Sequence, residues 1–347
     1  MPRKNVVGRP QKAGFKAYKV HCLMIFKINN LSPPLEMPSL AFGNESEDAR
    51  PVARVRGGQH DGEILYLSED STGGRRPSVA FNRTHYAKEL LHLKPLERKK
   101  AFVDIETALK DDDDSELSGD VKALYTRVKK DIENNKLIEL DDEGLFELLP
   151  PADSKKRSVW YVAGQSGSGK SWIAKQIVSM YHKLNPSRGV YLVSKLEQDD
   201  TLDSLKFLKR VPIKSFVDDY PTLDEMKDSC LIFDDWDTLT GDAEKVIHKL
   251  IEDISIMGRH SNTTILILSH YLTNFRKTRL ILNEATHIVV YPLSTSYYAL
   301  KYLLKNYVGV EEDELKKHRK LGSRWLCYTK GYPQIMISQK HACVLHQ

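Results

Sequence analysis

The segment from Gly164 to Ser171 reads Gly-Gln-Ser-Gly-Ser-Gly-Lys-Ser and matches the pattern G-x-x-x-x-G-K-[ST] at every fixed position. Residues 159–163, which precede it, form an apolar β-branched and aromatic run that predicts a buried strand. After the segment, apolar residues recur at helical spacing, at Trp172, Ile173, Ile177 and Met180. A position between a strand and a helix is the context that a phosphate-binding loop requires. The alternative is a Gly/Ser turn that happens to precede a helix.

The residue types in this loop suit the binding of ATP. Its three glycines permit a tight turn, so that backbone N–H groups and the positive end of the next helix face the phosphates. Lys170 is predicted to reach the β and γ phosphates, and the Ser171 hydroxyl is predicted to bind Mg²⁺. The predicted nucleotide-binding residues are Gly164, Gln165, Ser166, Gly167, Ser168, Gly169, Lys170 and Ser171.

A second apolar run, residues 231–233, ends in the carboxylates Asp234 and Asp235 about sixty residues further along the chain. In nucleoside triphosphatases of this type the first carboxylate helps to hold the hydration shell of Mg²⁺, so Asp234 is predicted to be a metal-site residue. Asp235 would then orient or deprotonate the attacking water. Alternatively, the two aspartates cap the helix that follows.

The run Thr263–Leu268 predicts a strand beside the one that carries the two aspartates, and Ser269-His270 follows it directly. A polar side chain at the end of such a strand can sense the γ phosphate or hold the attacking water. His270 is therefore a candidate catalytic residue. A histidine in this position can equally cap an element or pack against one.

Composition indicates a globular protein that does not cross a membrane. Of its 347 residues, 41% are hydrophobic and 29% are charged, and no apolar run approaches the length needed to span a bilayer. The four cysteines are scattered, which favours a reducing compartment. The net charge of +5 is modest, but the first hundred residues are basic. Positive charge returns at Arg276, Lys277 and Arg279 and again at Lys316, Lys317, Arg319, Lys320 and Arg324. Such groups could meet a phosphate backbone, or they could lie on solvated helix faces.

The pattern divides the chain into three regions. Residues 1–50 are predicted to be a basic, flexible arm, and residues 51–150 a small α+β region with a hairpin at 52–67, helices between Tyr86 and Leu148, and an acidic linker. Pro150-Pro151 marks the start of the nucleotide-binding domain, residues 151–347. Strands and helices alternate there, which predicts an α/β fold with a mostly parallel sheet covered by helices on both faces. Val211–Val217 is a candidate strand, and Gly241–Met257 a predicted helix.

Residues 157–292 resemble the genome-packaging ATPases of large double-stranded DNA viruses, the poxvirus-like members of the FtsK/HerA superfamily of P-loop NTPases. The resemblance rests on the phosphate-binding loop as Walker A motif and Ile232-Phe233-Asp234-Asp235 as Walker B motif, with Gly258-Arg259-His260, Ser269-His270, and Arg279 with Asn283 downstream. It implies a RecA-like fold and a homo-oligomeric ring that moves double-stranded DNA into a capsid by hydrolysing ATP with Mg²⁺. A capsid or portal protein would be a partner. The resemblance implies two locations, the virus assembly site in the host cytoplasm and the virion.

In such rings an arginine from the neighbouring subunit neutralises charge on the transferred phosphoryl group. The resemblance makes Arg259 and Arg279 the leading candidates and Arg276 a third. Two other functions remain open at this stage. A nucleoside or nucleotide kinase shares the loop but passes phosphate to a small acceptor, and a nucleotide-dependent scaffold would bind ATP without moving DNA.

Overall fold

The structure is a computed structural model, and it describes residues 39–43, 49–68, 86–111, 113–135, 137–153 and 156–345. The predicted arm at residues 1–50 lies largely outside these ranges. Within the described part, no helix has both the length and the apolar character needed to cross a membrane.

Residues before Pro150 form a small antiparallel sheet and a pair of helices. The strands of this part are β1 (Ser39–Phe42), β2 (Arg50–Arg56), β3 (Ile64–Ser68), β4 (Ile138–Glu139) and β5 (Leu145–Leu148), and its helices are α1 (Pro95–Asp111) and α2 (Gly119–Asn135). The four-stranded sheet has the order β1-β3-β2-β5. Strands β2 and β3 pair antiparallel, which confirms the predicted hairpin.

The helical prediction between Tyr86 and Leu148 holds for α1 and α2 but is wrong at its end. Residues 138–139 and 145–148 are strands. A short apolar run such as Leu145–Leu148 carries no period that separates strand from helix, and here pairing with β2 decides the conformation. Apolar residues of α1 and α2 pack against each other in a core of their own, with Ile105, Leu124 and Val128 almost fully buried.

After Pro150 strands and helices alternate as predicted, and the chain then ends in a run of strands. The strands are β6 (Val159–Ala163), β7 (Val190–Ser194), β8 (Leu208–Arg210), β9 (Cys230–Asp234), β10 (Thr264–Ser269), β11 (His287–Val290), β12 (Leu326–Thr329), β13 (Ile335–Ser338) and β14 (His341–Val344). The helices are α3 (Lys170–Leu184), α4 (Ile213–Asp218), α5 (Gly241–Ser261), α6 (Arg279–Glu284), α7 (Tyr297–Tyr307) and α8 (Glu312–Lys320).

These strands build a ten-stranded mixed sheet with the order β4-β14-β13-β12-β11-β6-β10-β9-β7-β8. Every pairing from β8 to β11 is parallel, and every pairing from β11 to β4 is antiparallel. The parallel part, with the loop after β6, confirms the predicted α/β P-loop NTPase fold. The antiparallel extension from β12 to β4 gives the sheet its mixed character.

Two local predictions need correction. Residues 211–217 are not a strand, because β8 ends at Arg210 and α4 begins at Ile213 after the extended Pro212. Pro212 lacks an N–H and so favours the start of a helix over the continuation of a strand. The helix predicted at Gly241–Met257 continues to Ser261 and ends where Asn262 adopts a left-handed conformation with φ of 52°.

The two faces of the large sheet are buried by different partners. Trp160 and Val162 of β6 point into a core formed with α3 and the small sheet. Val159, Tyr161 and Ala163 alternate with them and point into a core covered by α4 to α8. Helices therefore lie on both faces as predicted, but a second sheet shares one face with α3. The domain boundary at residue 150 stays a prediction, and the first of these cores contains residues from both sides of it.

Candidate nucleotide-binding site

The loop from Gly164 to Gly169 leaves β6 at the carboxyl edge of the parallel strands. The Gly164 N–H donates to the Ser269 carbonyl at 3.0 Å, which ties the start of the loop to the end of β10. Gly167 and Gly169 have φ values of 76° and 110°, which favour glycine. At Gly164 the restriction is space, because a Cβ atom would lie 2.6 Å from the Tyr291 ring. The turn therefore depends on the glycines that the sequence pattern singled out.

Lys170 is the first residue of α3 and folds back over the loop. Its ammonium donates to the carbonyls of Gly164 at 2.9 Å and Gln165 at 3.2 Å. Burial lowers the pKa of Lys170, while the carboxylates of Asp234 and Asp235 oppose this shift. The lysine is thus held by backbone groups beside the acidic strand end, where a phosphate could replace its carbonyl partners.

Asp234 and Asp235 lie at the same edge of the sheet as the loop. Asp234 ends β9, which is separated from β6 only by β10, so the two strands are about 10 Å apart. Burial, followed by the charges of Asp235 and Asp199, raises the pKa of Asp234 to about 6, and Lys170 acts in the opposite direction. Asp234 is therefore a buried carboxyl in a negative environment, which a bound cation would relieve.

Asp235 occupies the left-handed region with φ of 53°, which is uncommon for a residue other than glycine. It precedes a single 3₁₀ turn, Trp236–Thr238, but its side chain makes no capping hydrogen bond there. Helix α5 begins after Thr240. The described contacts therefore give no support to the alternative in which these aspartates only cap a helix.

His270 lies between the loop and the aspartates, as the sequence predicted. Its Nε2 atom is 3.4 Å from Ser166 Oγ and 3.7 Å from Asp235 Oδ1. Its Nδ1 atom is 3.2 Å from Asp237 Oδ1, and its backbone N–H donates to Asp237 Oδ2 at 2.7 Å. Asp237, which is buried, was not singled out from the sequence. Its only sequence signal is its position two residues after the aspartate pair.

The predicted arginines do not join this site within their own chain. Arg259 lies near the end of α5, which leads into the start of β10 and hence to the opposite edge of the sheet. There it lines a cavity of about 840 Å³ together with Arg50 and Arg157. Arg279 is exposed at the start of α6, with its guanidinium 5.1 Å from the Phe275 ring centroid. A role for either arginine in a neighbouring subunit's site stays a prediction.

Sequence reasoning missed the contact between Arg324 and the phosphate-binding loop. Arg324 precedes β12, and its guanidinium donates to the carbonyls of Ser168 at 3.0 Å and Gly167 at 3.3 Å. No motif identifies this contact, because Arg324 is more than 150 residues away from the loop along the chain.

The residues at the site fit a magnesium nucleotide. The Ser168 hydroxyl is buried without a hydrogen-bond partner, the loop lacks side chains where phosphates would approach, and Asp234 supplies a carboxylate. Among the described residues no group of three or more His, Cys, Asp or Glu side chains could hold a metal. Mg²⁺ usually keeps several waters and takes only one or two carboxylates plus substrate phosphates, so Ser171 and Asp234 would hold it jointly with the nucleotide.

A comparison with curated proteins found a relative in a virophage. Uncharacterized protein V3 of Sputnik virophage is 34% identical over 227 residues, which are 65% of this chain and 90% of V3. This chain belongs to the V3 family. No protein-family model matches the sequence of this V3-family member.

Solved structures similar to this V3-family chain include a genome packaging NTPase and a conjugation coupling protein. The genome packaging NTPase B204 of Sulfolobus turreted icosahedral virus 2 is 12% identical, with 55% of this chain and 98% of B204 covered and a TM-score of 0.38. The conjugation coupling protein TcpA of pCW3 is 11% identical, with 84% and 77% covered and a TM-score of 0.38. At such scores the likeness carries no argument about function, and the site of the V3-family chain is assigned from its own residues.

Proposed function

We propose that this protein hydrolyses ATP at the loop formed by residues 164–171. One observation carries the proposal: the buried Lys170 ammonium, held on the loop after β6, and the buried Asp234 carboxyl at the end of β9 lie at the same edge of the sheet, where each affects the pKa of the other. A lysine on glycine-rich backbone beside a carboxylate is the arrangement that phosphoryl transfer uses to bind a triphosphate and its metal.

Each residue has a defined part in this proposal. Loop N–H groups and Lys170 bind the β and γ phosphates, and Ser171 and Asp234 hold Mg²⁺. The ion, when bound, neutralises charge on the phosphates. Asp235 orients or deprotonates the attacking water. His270 Nε2 lies 3.7 Å from Asp235 Oδ1, where the histidine can sense the γ phosphate.

We further propose that the hydrolysis drives movement of double-stranded DNA into a viral capsid. The sequence resemblance to packaging ATPases and the membership of a virophage protein family support this proposal. The active form would be a homo-oligomeric ring, with a capsid or portal protein as partner. Arg279 of one subunit would complete the site of the next, and Arg259 is the second candidate for this role.

Phosphate release by the purified full chain tests the proposal. With ATP and Mg²⁺, we expect turnover that double-stranded DNA stimulates and that Lys170→Ala and Asp235→Asn abolish. Asp242→Asn is a matched control, since Asp242 is an exposed carboxylate paired with Lys245. Transfer of the γ phosphate to a nucleoside would contradict the hydrolase and indicate a kinase. Binding of ATP without turnover, with and without DNA, would instead indicate a scaffold.

Electron microscopy tests the assembly separately. A closed ring around duplex DNA in the presence of a non-hydrolysable ATP analogue is the expected result. An ATPase that stays monomeric on DNA would retain the proposed chemistry and contradict the proposed motor.

A further inference from the structure

Arg324 contacts the phosphate-binding loop on the side where backbone carbonyl groups of the loop point outward. Its Nε atom donates to Ser168 O and its Nη2 atom to Gly167 O. A Cβ atom on Gly169 would lie 3.4 Å from Nη2, so the guanidinium packs directly against the loop. The side chain comes from the antiparallel extension of the sheet, which the nucleotide motifs do not include.

The backbone around Arg324 is fixed by hydrogen bonds to the end of β13. The Arg324 N–H donates to Gln339 Oε1 at 2.8 Å, and the Gln339 N–H donates to the Ser323 hydroxyl at 3.1 Å. That hydroxyl in turn donates to the carbonyl of the buried Trp325 at 2.8 Å. Although the Arg324 side chain is exposed, these hydrogen bonds hold its backbone in a fixed position.

The two carbonyls that Arg324 binds belong to peptide groups of the loop itself. The Gly167 carbonyl shares its peptide unit with the Ser168 N–H, and the Ser168 carbonyl shares its unit with the Gly169 N–H. A cation on a carbonyl oxygen polarises the whole peptide unit and strengthens its N–H as a donor. Two parallel hydrogen bonds also fix the orientation of both units, because guanidinium is planar.

We propose that Arg324 is a positioning residue for phosphate binding in its own chain. It fixes the Gly167–Ser168 peptide unit, whose N–H donates to the Gln165 carbonyl at 3.2 Å, and it aligns and polarises the Gly169 N–H for the β phosphate of a nucleoside di- or triphosphate. This inference rests on the proposed nucleotide site and differs from the arginine expected from a neighbouring subunit. It makes the antiparallel extension part of the nucleotide site, and its effect requires no oligomer.

Titration calorimetry with ADP and with AMP tests the inference on dilute, monomeric protein. Arg324→Ala should weaken ADP binding roughly tenfold, the scale of one charge-assisted hydrogen bond, and should change AMP binding little, because AMP lacks the β phosphate. Arg324→Lys should give an intermediate affinity, because lysine restores the charge but cannot hold both carbonyls in one plane. Arg319→Ala, which removes a half-buried arginine that stacks on Tyr297 and has no contact with the loop among the described residues, should bind ADP as the unchanged protein does.

The outcomes separate this inference from the proposed function. If the unchanged protein bound no ADP, the nucleotide site itself would be wrong. If it bound ADP and Arg324→Ala bound it equally well, only the role of Arg324 would be lost. An equal loss of ADP and AMP affinity would indicate general disruption of the loop, and so would also overturn the inference. Gln339→Ala, which frees the Arg324 backbone without removing the cation, should reproduce part of the ADP effect.

Discussion

The Asp237 carboxylate holds His270 at two points, one on its ring and one on its backbone. Oδ1 lies 3.2 Å from Nδ1, and Oδ2 accepts the His270 N–H at 2.7 Å and the Ser269 hydroxyl at 3.0 Å. Because a carboxylate only accepts hydrogen bonds, Nδ1 is the donor of this contact. Nε2 is then directed toward Ser166 and Asp235, where the γ phosphate and the attacking water are expected.

Substitution of Asp237 should therefore impair turnover through His270. We expect Asp237→Asn to lower kcat by roughly 10- to 100-fold, the range seen when an orienting partner of a functional histidine is removed, with little change in ADP affinity. It should also cost about 1–3 kcal/mol of unfolding free energy, because the amide presents an NH₂ group where one of the two carboxylate oxygens accepts a buried hydrogen bond. Steady-state kinetics and urea unfolding measure the two effects. An unchanged kcat in a folded protein would mean that His270 needs no orientation by Asp237.

The raised pKa of Asp234 predicts a dependence of stability on pH. The folded-state pKa of about 6 exceeds the ordinary value of 3.8, so the folded state binds this proton more tightly than the unfolded state does. Ionisation of Asp234 therefore costs stability above pH 6, about 3 kcal/mol at pH 7, and that cost disappears as the pH falls from about 6 to about 4. Asp234→Asn should be more stable than the unchanged protein at pH 7.5 and nearly equal to it at pH 4.

Urea unfolding of the nucleotide-free protein at both pH values checks this expectation. Asp242→Asn, an exposed substitution at the start of α5, should change stability little at either pH. The difference in unfolding free energy between Asp234→Asn and the unchanged protein should depend on pH. An equal difference at pH 4 and pH 7.5 would contradict a buried carboxylate that neighbouring negative charges repel.

The exposed position of Arg279 leads to a prediction for mixed assemblies. Alone, Arg279→Ala should keep its stability and lose about 10³-fold in kcat if it completes a neighbour's site. Mixing it with Lys170→Ala should recover part of the activity, because the second variant supplies the arginine and the first supplies the intact loop. Arg276→Ala, another exposed arginine on the same connection, is the comparison. Full turnover by the assembled Arg279→Ala oligomer would show that Arg279 does not complete the site of the neighbouring subunit.

Two glycines of the loop should respond differently to the same change. In Gly164→Ala the new methyl group would meet the Tyr291 ring at 2.6 Å and Ser168 Oγ at 2.7 Å, so the loop must shift and ADP affinity should fall more than tenfold. In Gly167→Ala no atom lies within 4 Å of the new methyl group. The only cost is the φ of 76°, which an alanine adopts at about 1–2 kcal/mol of conformational free energy. Calorimetry and thermal unfolding would show equal effects if contact with Tyr291 were unimportant.

The sequence predicts the centre of the fold well because its strands are buried on both faces. The runs at 159–163 and 231–233 and the strand ending at Ser269 are continuous and apolar, as buried parallel strands require. Polar or glycine residues mark their ends, namely Gly164, Asp234-Asp235 and Ser269-His270. The same reasoning misses β4 and β14, since strands of two and four residues carry almost no pattern. It also misses Asp237 and Arg324, whose importance comes from contacts across the fold rather than from neighbours in the chain.

The core that contains both Phe146 and Trp160 has a practical consequence for fragments of this protein. A fragment starting at residue 151 would keep every nucleotide motif but lose the sheet formed by β1, β2, β3 and β5, and with it part of the cover over one face of the large sheet. It would also lose β4, which leaves the backbone of β14 open to pairing with other chains. Such a fragment should aggregate even though its nucleotide motifs are intact.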